Sequence, residues 1–461
     1  MAGGFGVTSP GGEDFEAKIT PIVVISCILA ASGGLMFGYD IGISVYKRQQ
    51  VPGLNSNYCK YDNQYLQLFT SSLYLAALTA SFFASYTTRK LGRKLTMLVA
   101  GIFFCVGTIF NAAAQNLAML IIGRLLLGCG VGFGNQNILC RDRVTGGWGW
   151  RLSLGLAAVP SVLLTIGALV VVDTPNSLIE RGKLEQGKAV LKRIRGVQNV
   201  DPEFLELLEA SRTAQEVKNP FRNLLKRKNR PQLIITVFLQ FFQQFTGINA
   251  INFYAPVLFQ TLGFKSDASL YSAVITGSCM VVGAIISIYL ADRAGRRVLL
   301  LEGAIQMLVS HVGVTIILGL KLKETTSSLD RGMAILVVVL VCSFVGSFGW
   351  SWGPLAWLIA SEIFPLETRS AGQSVTVGVN MFFTFVIAQA FLSMLCHLKF
   401  GIFLFFGVFV FIMFLFVLFL LPETKGVPIE EMTDVVWRQH WFWRRFIEDD
   451  YDDEPKGEGY A

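Results

Sequence analysis

The sequence predicts an all-α, polytopic membrane protein with about eleven transmembrane helices. Of its 461 residues, 53% are hydrophobic and only 15% are charged, and the mean hydropathy is +0.53. A soluble domain of this composition would expose more apolar surface than water tolerates. The apolar residues also fall in runs of about 20, which is the length that an α-helix needs to cross a hydrocarbon core. So many apolar helices cannot all be hidden inside one soluble core.

The predicted spans are separated by short polar turns and one long polar interval. Their approximate limits are 19–43, 65–87, 95–114, 117–138, 152–172, 232–257, 269–291, 298–320, 333–360, 371–396 and 401–421. The long interval, 174–231, contains 13 Lys and Arg and several amphipathic runs. Because cytoplasmic loops collect basic residues, we expect this interval in the cytoplasm.

These limits predict the domain organisation. We expect a cytoplasmic N-terminal tail at 1–18, an incomplete first helical bundle at 19–172, a cytoplasmic linker at 173–231, a second, six-helix bundle at 232–422 and a cytoplasmic C-terminal tail at 423–461. The formal charge of +7 indicates no nucleic-acid partner, since the basic residues cluster beside the spans.

The first half is predicted to lack one span near the polar stretch 132–152. Basic turns recur at Gly92 and Gly295, which are 203 residues apart, and acidic turns recur at Asp173 and Glu423, which are 250 apart. The first half is therefore 47 residues shorter between these landmarks. Parity agrees, because an even number of spans must join two cytoplasmic segments and only three are visible there. A re-entrant segment, or one basic segment on the outer side, would be the alternative explanation.

The chain resembles the sugar porters of the major facilitator superfamily, and more narrowly the plant monosaccharide/proton symporters. The resemblance implies two helical bundles, twelve helices in the complete family fold, around a cavity that alternates between outward-open and inward-open states. It also implies deletions after residue 44 and between GFGNQ and GGWGWRLS, where the family has a fifth helix. The matching motifs are GGLMFGYDIGIS, FTSSLYLAAL, GRLLLGCGVGFGNQ, GGWGWRLSLG, DTPNSLIERG, FFQQFTGINAINFYAPVLF, SWGPLAWLIASEIFPLETRSAGQS, MLCHLKFGIF and LPETKGVPIEEM.

Two charges at membrane depth are the candidate proton-coupling pair. Asp40 lies toward the outer end of the first span, and Arg124 lies inside the fourth. Isolated charges are costly there, so they pair or line a water-filled path. The residues alone also allow a static ion pair. The resemblance implies that Asp40 accepts the proton and that Arg124 is its partner.

Amide side chains within an apolar span are the candidate sugar-binding groups. Amides both donate and accept hydrogen bonds, which suits sugar hydroxyls, although such groups also hold helices together. The resemblance adds a stacking tryptophan and two polar residues spaced four apart on one helix. The predicted substrate-binding residues are Gln243, Gln244, Asn249, Trp357, Asn380 and Thr384.

Three positions depart from the family pattern around this site. Met280 occupies a position where the family usually has Asn, and a thioether cannot replace an amide's directional hydrogen bonds. Ala356 and Ala360 stand where the family favours Gly and Pro, which is expected to stiffen a helix that bends in the family.

Charged residues at the predicted cytoplasmic ends of the spans match the family's ion-pair network, which latches the outward-facing state. Each one alone is also explained by the positive-inside rule. The acidic partner that the family has after its fourth helix is absent here. The predicted network residues are Arg89, Arg93, Arg293, Arg296, Arg297, Glu362, Arg369 and Glu423.

Cys59 and Cys396 match cysteines that, in the family, tie an extracellular lid to the second bundle. Both are predicted to lie outside, where oxidation is allowed. The resemblance therefore implies a disulfide between them. The three histidines and eight cysteines show no metal-ligand spacing, and no cofactor is expected beyond the proton as coupling ion.

The resemblance implies a monomeric, multi-pass plasma-membrane protein with a cytoplasmic N-terminus that takes up hexose with protons. No ATP-binding loop and no catalytic constellation is visible, so neither a primary pump nor an enzyme is expected. The alternative hypothesis is a member that does not transport and acts as a sugar sensor or has no activity. The missing helix and Met280 favour that alternative.

Overall fold

The computed structural model describes residues 64–91, 93–114, 117–133, 162, 165–166, 173, 175–197, 199–216, 220–251, 266–321, 330–365, 368–427 and 432–447. Within these residues all regular structure is helical and no strand occurs. The predicted all-α class is therefore confirmed.

The helices follow the predicted spans closely in the second half of the chain. In order they are α1 (Gln64–Leu91), α2 (Arg93–Ala112), α3 (Leu117–Phe133), α4 (Pro175–Glu180), α5 (Leu184–Arg195), α6 (Asp201–Glu216), α7 (Pro220–Leu224), α8 (Arg230–Phe245), α9 (Ser266–Ala294), α10 (Arg296–Lys321), α11 (Arg331–Trp350), α12 (Trp352–Glu362), α13 (Arg369–Leu398) and α14 (Gly401–Leu420). Short 3₁₀ turns occur at Arg227–Asn229 and Arg444–Phe446, and a π-helical turn at Met432–Trp437.

Six helical segments among the described residues are long and apolar enough to cross a membrane. They are Arg227–Ile251, Ile275–Ala294, Arg296–Leu320, Gly332–Glu362, Ala371–Leu398 and Gly401–Leu420. Their outer faces carry large apolar side chains such as Ile288, which is 73% exposed, and Leu320, which is 71% exposed. Such faces are unfavourable in water and are stable against lipid.

The first half contributes three shorter apolar helices to the described residues, at Ser71–Phe83, Leu95–Asn111 and Ala118–Cys129. The polar stretch 132–152 lies almost wholly outside the described residues, as does most of the predicted span 152–172. The predicted loss of one helix therefore stays a prediction.

Helix α8 breaks at Thr246 and Gly247 and is helical again over 248–251. Gly247 has φ +84°, which is the left-handed region where glycine alone carries no steric penalty. A Cβ atom at this position would also lie 2.8 Å from the ring of Phe406. The glycine is therefore required both by the backbone conformation and by the packing of α14 against the break.

A second break separates α11 from α12 at Ser351, whose φ is −116° and ψ −92°. The Ser351 hydroxyl donates to the carbonyl of Ser347 at 2.6 Å. Gly303 of α10 makes room for it, since a Cβ there would lie 2.0 Å from Ser351 Oγ. Beyond the break α12 runs unbroken past Ala356 and Ala360, both completely buried.

The chain divides into two compact units. One consists of Met1–Glu216, Asn249–Val274 and Val377–Lys399, and the other of Val217–Ile248, Ile275–Thr376 and Phe400–Ala461. Helix α13 therefore contributes residues to both units. The predicted limits of the tails, bundles and linker stay predictions.

Candidate functional site

The amides of α8 lie on its buried face. Gln240, Gln243 and Gln244 are each at most 3% exposed. The Gln243 side chain donates from Nε2 to the carbonyl oxygens of Trp352, at 2.9 Å, and Gly353, at 3.2 Å. These carbonyls belong to the first turn of α12, directly after the break at Ser351. Gln243 therefore fastens α8 to α12 in this conformation, which is the helix-pairing role left open by the sequence.

Gln240 makes a second bond between the same two helices. Its Nε2 donates to the carbonyl of Ala356 at 3.3 Å, one turn further along α12. Gln240 is not among the predicted sugar-binding residues, although its spacing of three and four residues from Gln243 and Gln244 places all three amides on one helical face.

The break in α8 is held by a buried histidine that the sequence analysis also missed. His311 of α10 is 2% exposed, and its Nε2 lies 3.1 Å from the carbonyl oxygen of Thr246. A carbonyl only accepts, so Nε2 is the protonated nitrogen and donates. The hydroxyl of Thr246 donates in turn to the carbonyl of Gln243 at 2.7 Å. The available signal was a single histidine within an otherwise apolar span.

The tryptophans near the second break have different environments. Trp352 is completely buried and donates from Nε1 to the carbonyl of Leu300 at 3.1 Å. Trp350 donates from Nε1 to the carboxylate of Glu302 at 2.8 Å. Trp357, the predicted stacking residue, lies on α12 and is only half-buried. Part of its ring is therefore accessible, whereas Trp352 serves the packing of α12 on α10.

Met280 lies at a close crossing of α9 and α11. A Cβ atom on Gly349 would lie 2.8 Å from the carbonyl oxygen of Met280. On the same two helices, a Cβ on Gly283 would lie 2.7 Å from the carbonyl of Gly346. The glycines therefore bring the two backbones together next to Met280, whose side chain is half-buried.

Arg124 of α3 is buried in the other unit, with 1% of its surface exposed. Gly123 and Gly128 flank it and allow close packing, since a Cβ on Gly128 would lie 2.2 Å from the carbonyl oxygen of Leu73 in α1. A buried guanidinium in an apolar helix requires an anionic or polar partner. The predicted partner, Asp40, lies outside the described residues, so the pair stays a prediction.

Three further predicted sugar ligands belong to the same unit as Arg124. Asn380 and Thr384 of α13 are buried, and the Thr384 hydroxyl donates to the carbonyl of Asn380 at 2.8 Å. Asn249 is half-buried and follows the break in α8. Gln243, Gln244 and Trp357 belong to the other unit.

Glu423 caps the N-terminus of α10. Its carboxylate accepts the backbone N–H of Arg296 at 2.9 Å and that of Arg297 at 3.0 Å. It also accepts the N–H groups of Thr424 and Lys425, each at 3.1 Å. The first N–H groups of a helix have no partner within the helix and carry a partial positive charge, so a carboxylate is the favoured cap.

Gly295 allows this approach. Its φ is +94°, and a Cβ atom on it would lie 2.7 Å from Glu423 Oε2. The motif DRAGRR therefore needs its glycine so that Glu423, 128 residues after Gly295, can reach the helix end.

Arg296 connects the cap to α12. Its Nη2 donates to Glu362 Oε1 at 3.0 Å, and the hydroxyl of Thr424 donates to Glu362 Oε2 at 3.1 Å. Arg296 Nη1 also lies 3.1 Å from the carboxylate of Asp292. Asp292 and Thr424 were not predicted as members of this cluster.

The other predicted network residues make different contacts. Arg297 donates from Nη2 to the carbonyl of Leu418 at 2.6 Å. Arg293 is exposed, and its carbonyl accepts from Lys425 Nζ at 2.8 Å. Arg369 begins α13 and is half-buried. The side chains of Arg89 and Arg93 lie outside the described part of the chain.

Cys396, at the end of α13, is disulfide-bonded. Its predicted partner, Cys59, lies outside the described residues. Cys105, Cys129, Cys279 and Cys342 are not disulfide-bonded.

The chain matches one protein-family model, that of the sugar (and other) transporters, over residues 26–138 and 136–436. The match is divided into two segments that overlap at 136–138, within the stretch 132–152 where the loss of a helix is predicted.

Two plant proteins are close relatives over nearly their whole length. The chain is 64% identical to sugar transport protein MST4 of Oryza sativa subsp. japonica over 498 positions, covering 97% of this chain and 96% of the relative. It is 62% identical to sugar transport protein 13 of Arabidopsis thaliana, covering 98% and 96%. An alignment of 498 positions exceeds the 461 residues of this chain, so the relative has residues that this chain lacks.

Solved structures share the fold. The proton:xylose symporter XylE bound to 6-bromo-6-deoxy-D-glucose superimposes with a TM-score of 0.73 at 21% identity, covering 89% of this chain and 98% of that one. The inward-open form of XylE from E. coli gives a TM-score of 0.68. With the family match and the plant relatives, this likeness makes the chain a member of the plant sugar porters of the major facilitator superfamily.

Proposed function

We propose that the protein takes up hexose together with protons across the plasma membrane by alternating access. The observation that carries the proposal is the 64% identity, over 97% of the chain, to a relative named as a sugar transport protein. A second supporting feature is the break after helix α8, which has buried amides before Gly247 and the half-buried Asn249 after it.

The amides of α8 and the ring of Trp357 supply the chemistry that a hexose requires. Because Gln243 Nε2 is used for the carbonyls of α12, a sugar hydroxyl would donate to its Oε1. Gln244 and Asn249 would add further donors and acceptors, and Trp357 would stack its ring on the apolar face of the sugar. On α13, Asn380 and Thr384 carry the amide and hydroxyl groups that the family resemblance assigns to sugar binding.

Proton coupling is proposed for Asp40 and Arg124. The guanidinium of Arg124 is 1% exposed, so a nearby carboxylate would balance a charge that is otherwise costly at this depth. When the pathway opens and closes, the hydration of such a pair changes, and with it the preference for the protonated acid. Proton binding and release would then follow the access to each side.

The Arg296–Glu362–Glu423 cluster is proposed to stabilise one of the two access states. It connects the start of α10, the end of α12 and the turn after α14, all on one side of these spans. Its bonds would have to rearrange if these helix ends separate during transport.

The test is uptake of radiolabelled glucose by a hexose-transport-deficient cell that expresses the full chain. We expect uptake that increases with the inward proton gradient and is abolished by Asp40→Asn. The matched control, Glu185→Gln, neutralises an exposed carboxylate of α5 and should leave uptake unchanged. Uptake that persists in Asp40→Asn would refute the proton role of this residue.

Sugar binding without transport is the second candidate function, and the observation in its favour is that the family match is divided into two segments that meet at 136–138. The names of the relatives favour transport. Purified protein that binds glucose, from cells that show no uptake, would establish the second candidate instead.

A further inference from the structure

The C-terminal segment 437–447 is anchored to the end of the last span by its indole groups. Trp441 donates from Nε1 to the carbonyl of Phe419 at 3.1 Å, and Trp443 donates to that of Leu420 at 2.7 Å. These carbonyls belong to the final turn of α14, where four carbonyl groups lack partners within the helix. The segment therefore lies at the level where α14 leaves the membrane.

The same segment contacts the residues just before the first span of its unit. Arg227 donates from Nη2 to the carbonyl of Arg445 at 3.1 Å. With the amide of Gln232 oriented to donate to Asn229, its oxygen accepts from Trp437 Nε1 at 3.3 Å. The beginning of α8 and the end of α14 thus lie on one side, joined by residues 437–447.

These two segments carry only positive charge. Residues 220–232 contain five Lys and Arg, residues 437–447 contain three Arg, and neither contains Asp or Glu. Seven of these side chains are exposed, and six of the seven define what we name the basic surface: Lys226, Arg227, Lys228, Arg230, Arg444 and Arg445. Within the described residues, Lys226, Lys228, Arg230 and Arg444 make no ion pair.

Large apolar side chains are exposed on the same segments. Trp441 is 64% exposed although its indole N–H is bonded, and Leu225 is 63% exposed. Arg445 stacks its guanidinium 3.9 Å from the ring centroid of Phe442. Tryptophan and arginine together at the ends of spans are typical of the headgroup region of a bilayer. A soluble acidic protein would explain the charge but not this apolar exposure at membrane level.

We propose that the basic surface binds anionic phospholipid headgroups. The phosphate and carboxylate groups of such lipids complement six exposed cations, and their acyl chains would lie against Trp441 and Leu225. The proposal goes beyond sugar transport and does not depend on it. Within the chain, the acidic stretch 448–454, EDDYDDE, could compete with lipid headgroups for the basic surface; it lies outside the described residues.

The test uses the full chain, purified in neutral detergent and titrated with phosphatidylserine or phosphatidylcholine in native mass spectrometry. We expect phosphatidylserine to bind at least about tenfold more tightly, since each basic residue near an anionic surface contributes about fivefold. The double variant Lys226→Gln/Lys228→Gln should weaken phosphatidylserine binding about 25-fold and leave phosphatidylcholine binding unchanged. Neither lysine side chain makes an ion pair within the described residues, so the fold should be retained, with an unchanged melting temperature.

The matched control is Lys183→Gln/Arg193→Gln, which removes two exposed positive charges from the region of α5, in the other unit. Its phosphatidylserine affinity should stay within about twofold of the parent. Equal binding of the two lipids by the parent, or unchanged binding in Lys226→Gln/Lys228→Gln, would overturn the proposal. Truncation after Ile447 should change binding by less than about threefold, and a gain of about tenfold or more would assign the surface to the acidic tail. No step measures sugar or flux, so this result is separate from the outcome of the uptake test.

Discussion

Replacement of Glu423 by glutamine should loosen the N-terminus of α10. The two side chains have nearly the same size, so the change removes the charge and one acceptor oxygen without leaving a cavity. The carboxylate accepts the backbone N–H groups of Arg296 and Arg297 through its two different oxygens. An amide offers one oxygen and one NH₂ group. One of the two backbone donors would therefore face another donor and lose its partner.

The magnitude follows from these contacts. A donor left without its bond costs about 1–3 kcal/mol. Loss of a full negative charge from a helix N-terminus costs about 0.3–1 kcal/mol. Allowing for partial rehydration near the membrane surface, we expect a local opening free energy lower by about 2 kcal/mol, which is about 30-fold in the opening equilibrium.

Hydrogen–deuterium exchange of the amides at 296–299, in detergent, measures this directly. We expect exchange about 30-fold faster in Glu423→Gln. The matched control is Glu302→Gln on the same helix, where an amide oxygen can still accept the indole N–H of Trp350. Unchanged exchange in Glu423→Gln, or an equal increase in both variants, would refute the assignment of Glu423 as the cap.

Three other perturbations test the breaks and the C-terminal segment. Gly247→Ala should destabilise the protein by about 3 kcal/mol in thermal unfolding, because of its positive φ and the Phe406 ring at 2.8 Å. His311→Leu should cost about 2 kcal/mol in the same assay, since the buried carbonyl of Thr246 loses a donor. Burial, and then the positive charge of a nearby arginine, lower the pKa of His440 in the folded protein. The unfolded chain then binds a proton more readily, so tryptophan fluorescence should report a segment 437–447 that loosens as the pH falls below about 6.5 and is unaffected above it.

Each of these three predictions has a matched control. Gly407→Ala should be neutral or slightly stabilising, since its nearest neighbour atom would be 3.5 Å away and alanine favours the helix. His311→Gln should recover part of the loss, because an amide can donate to the same carbonyl. Phe442 donates its backbone N–H to His440 Nδ1 at 3.3 Å, so the protection of this amide from exchange, relative to its intrinsic rate at each pH, should also fall at low pH. Equal losses of stability in His311→Gln and His311→Leu would contradict the role of His311 as donor. The same response of segment 437–447 to pH in the parent and in His440→Gln would contradict the role of His440.

Hydrophobic periodicity and helix-breaking residues predicted much of the second half. The limits of α9, α10 and α14 lie within about three residues of the predicted spans, because apolar run length alone sets them. The family resemblance pointed to the amides before Gly247, and the structure shows them buried on one face of α8.

Other features depend on contacts between distant segments and could not be predicted from local patterns. Glu423 is a predicted member of the ion-pair network, and its acceptance of backbone N–H groups 126 and 127 residues earlier in the chain could not be predicted from its local sequence. The bond from His311 to Thr246 joins two spans 65 residues apart. The helix-pairing bonds of Gln243 depend on the break at Ser351, which Gly353 and Pro354 indicate only to within a few residues and without its partners.

Proton-driven glucose uptake by the intact chain is the most direct test of the proposed function. Cells that lack hexose transport and express this chain should accumulate labelled glucose faster at an external pH of about 5.5 than at about 7.5, because the inward proton gradient is larger at the lower pH. Collapse of the gradient by a protonophore should abolish the difference, and Asp40→Asn should abolish accumulation. Stable protein at the plasma membrane that shows no uptake at either pH would contradict transport by this chain.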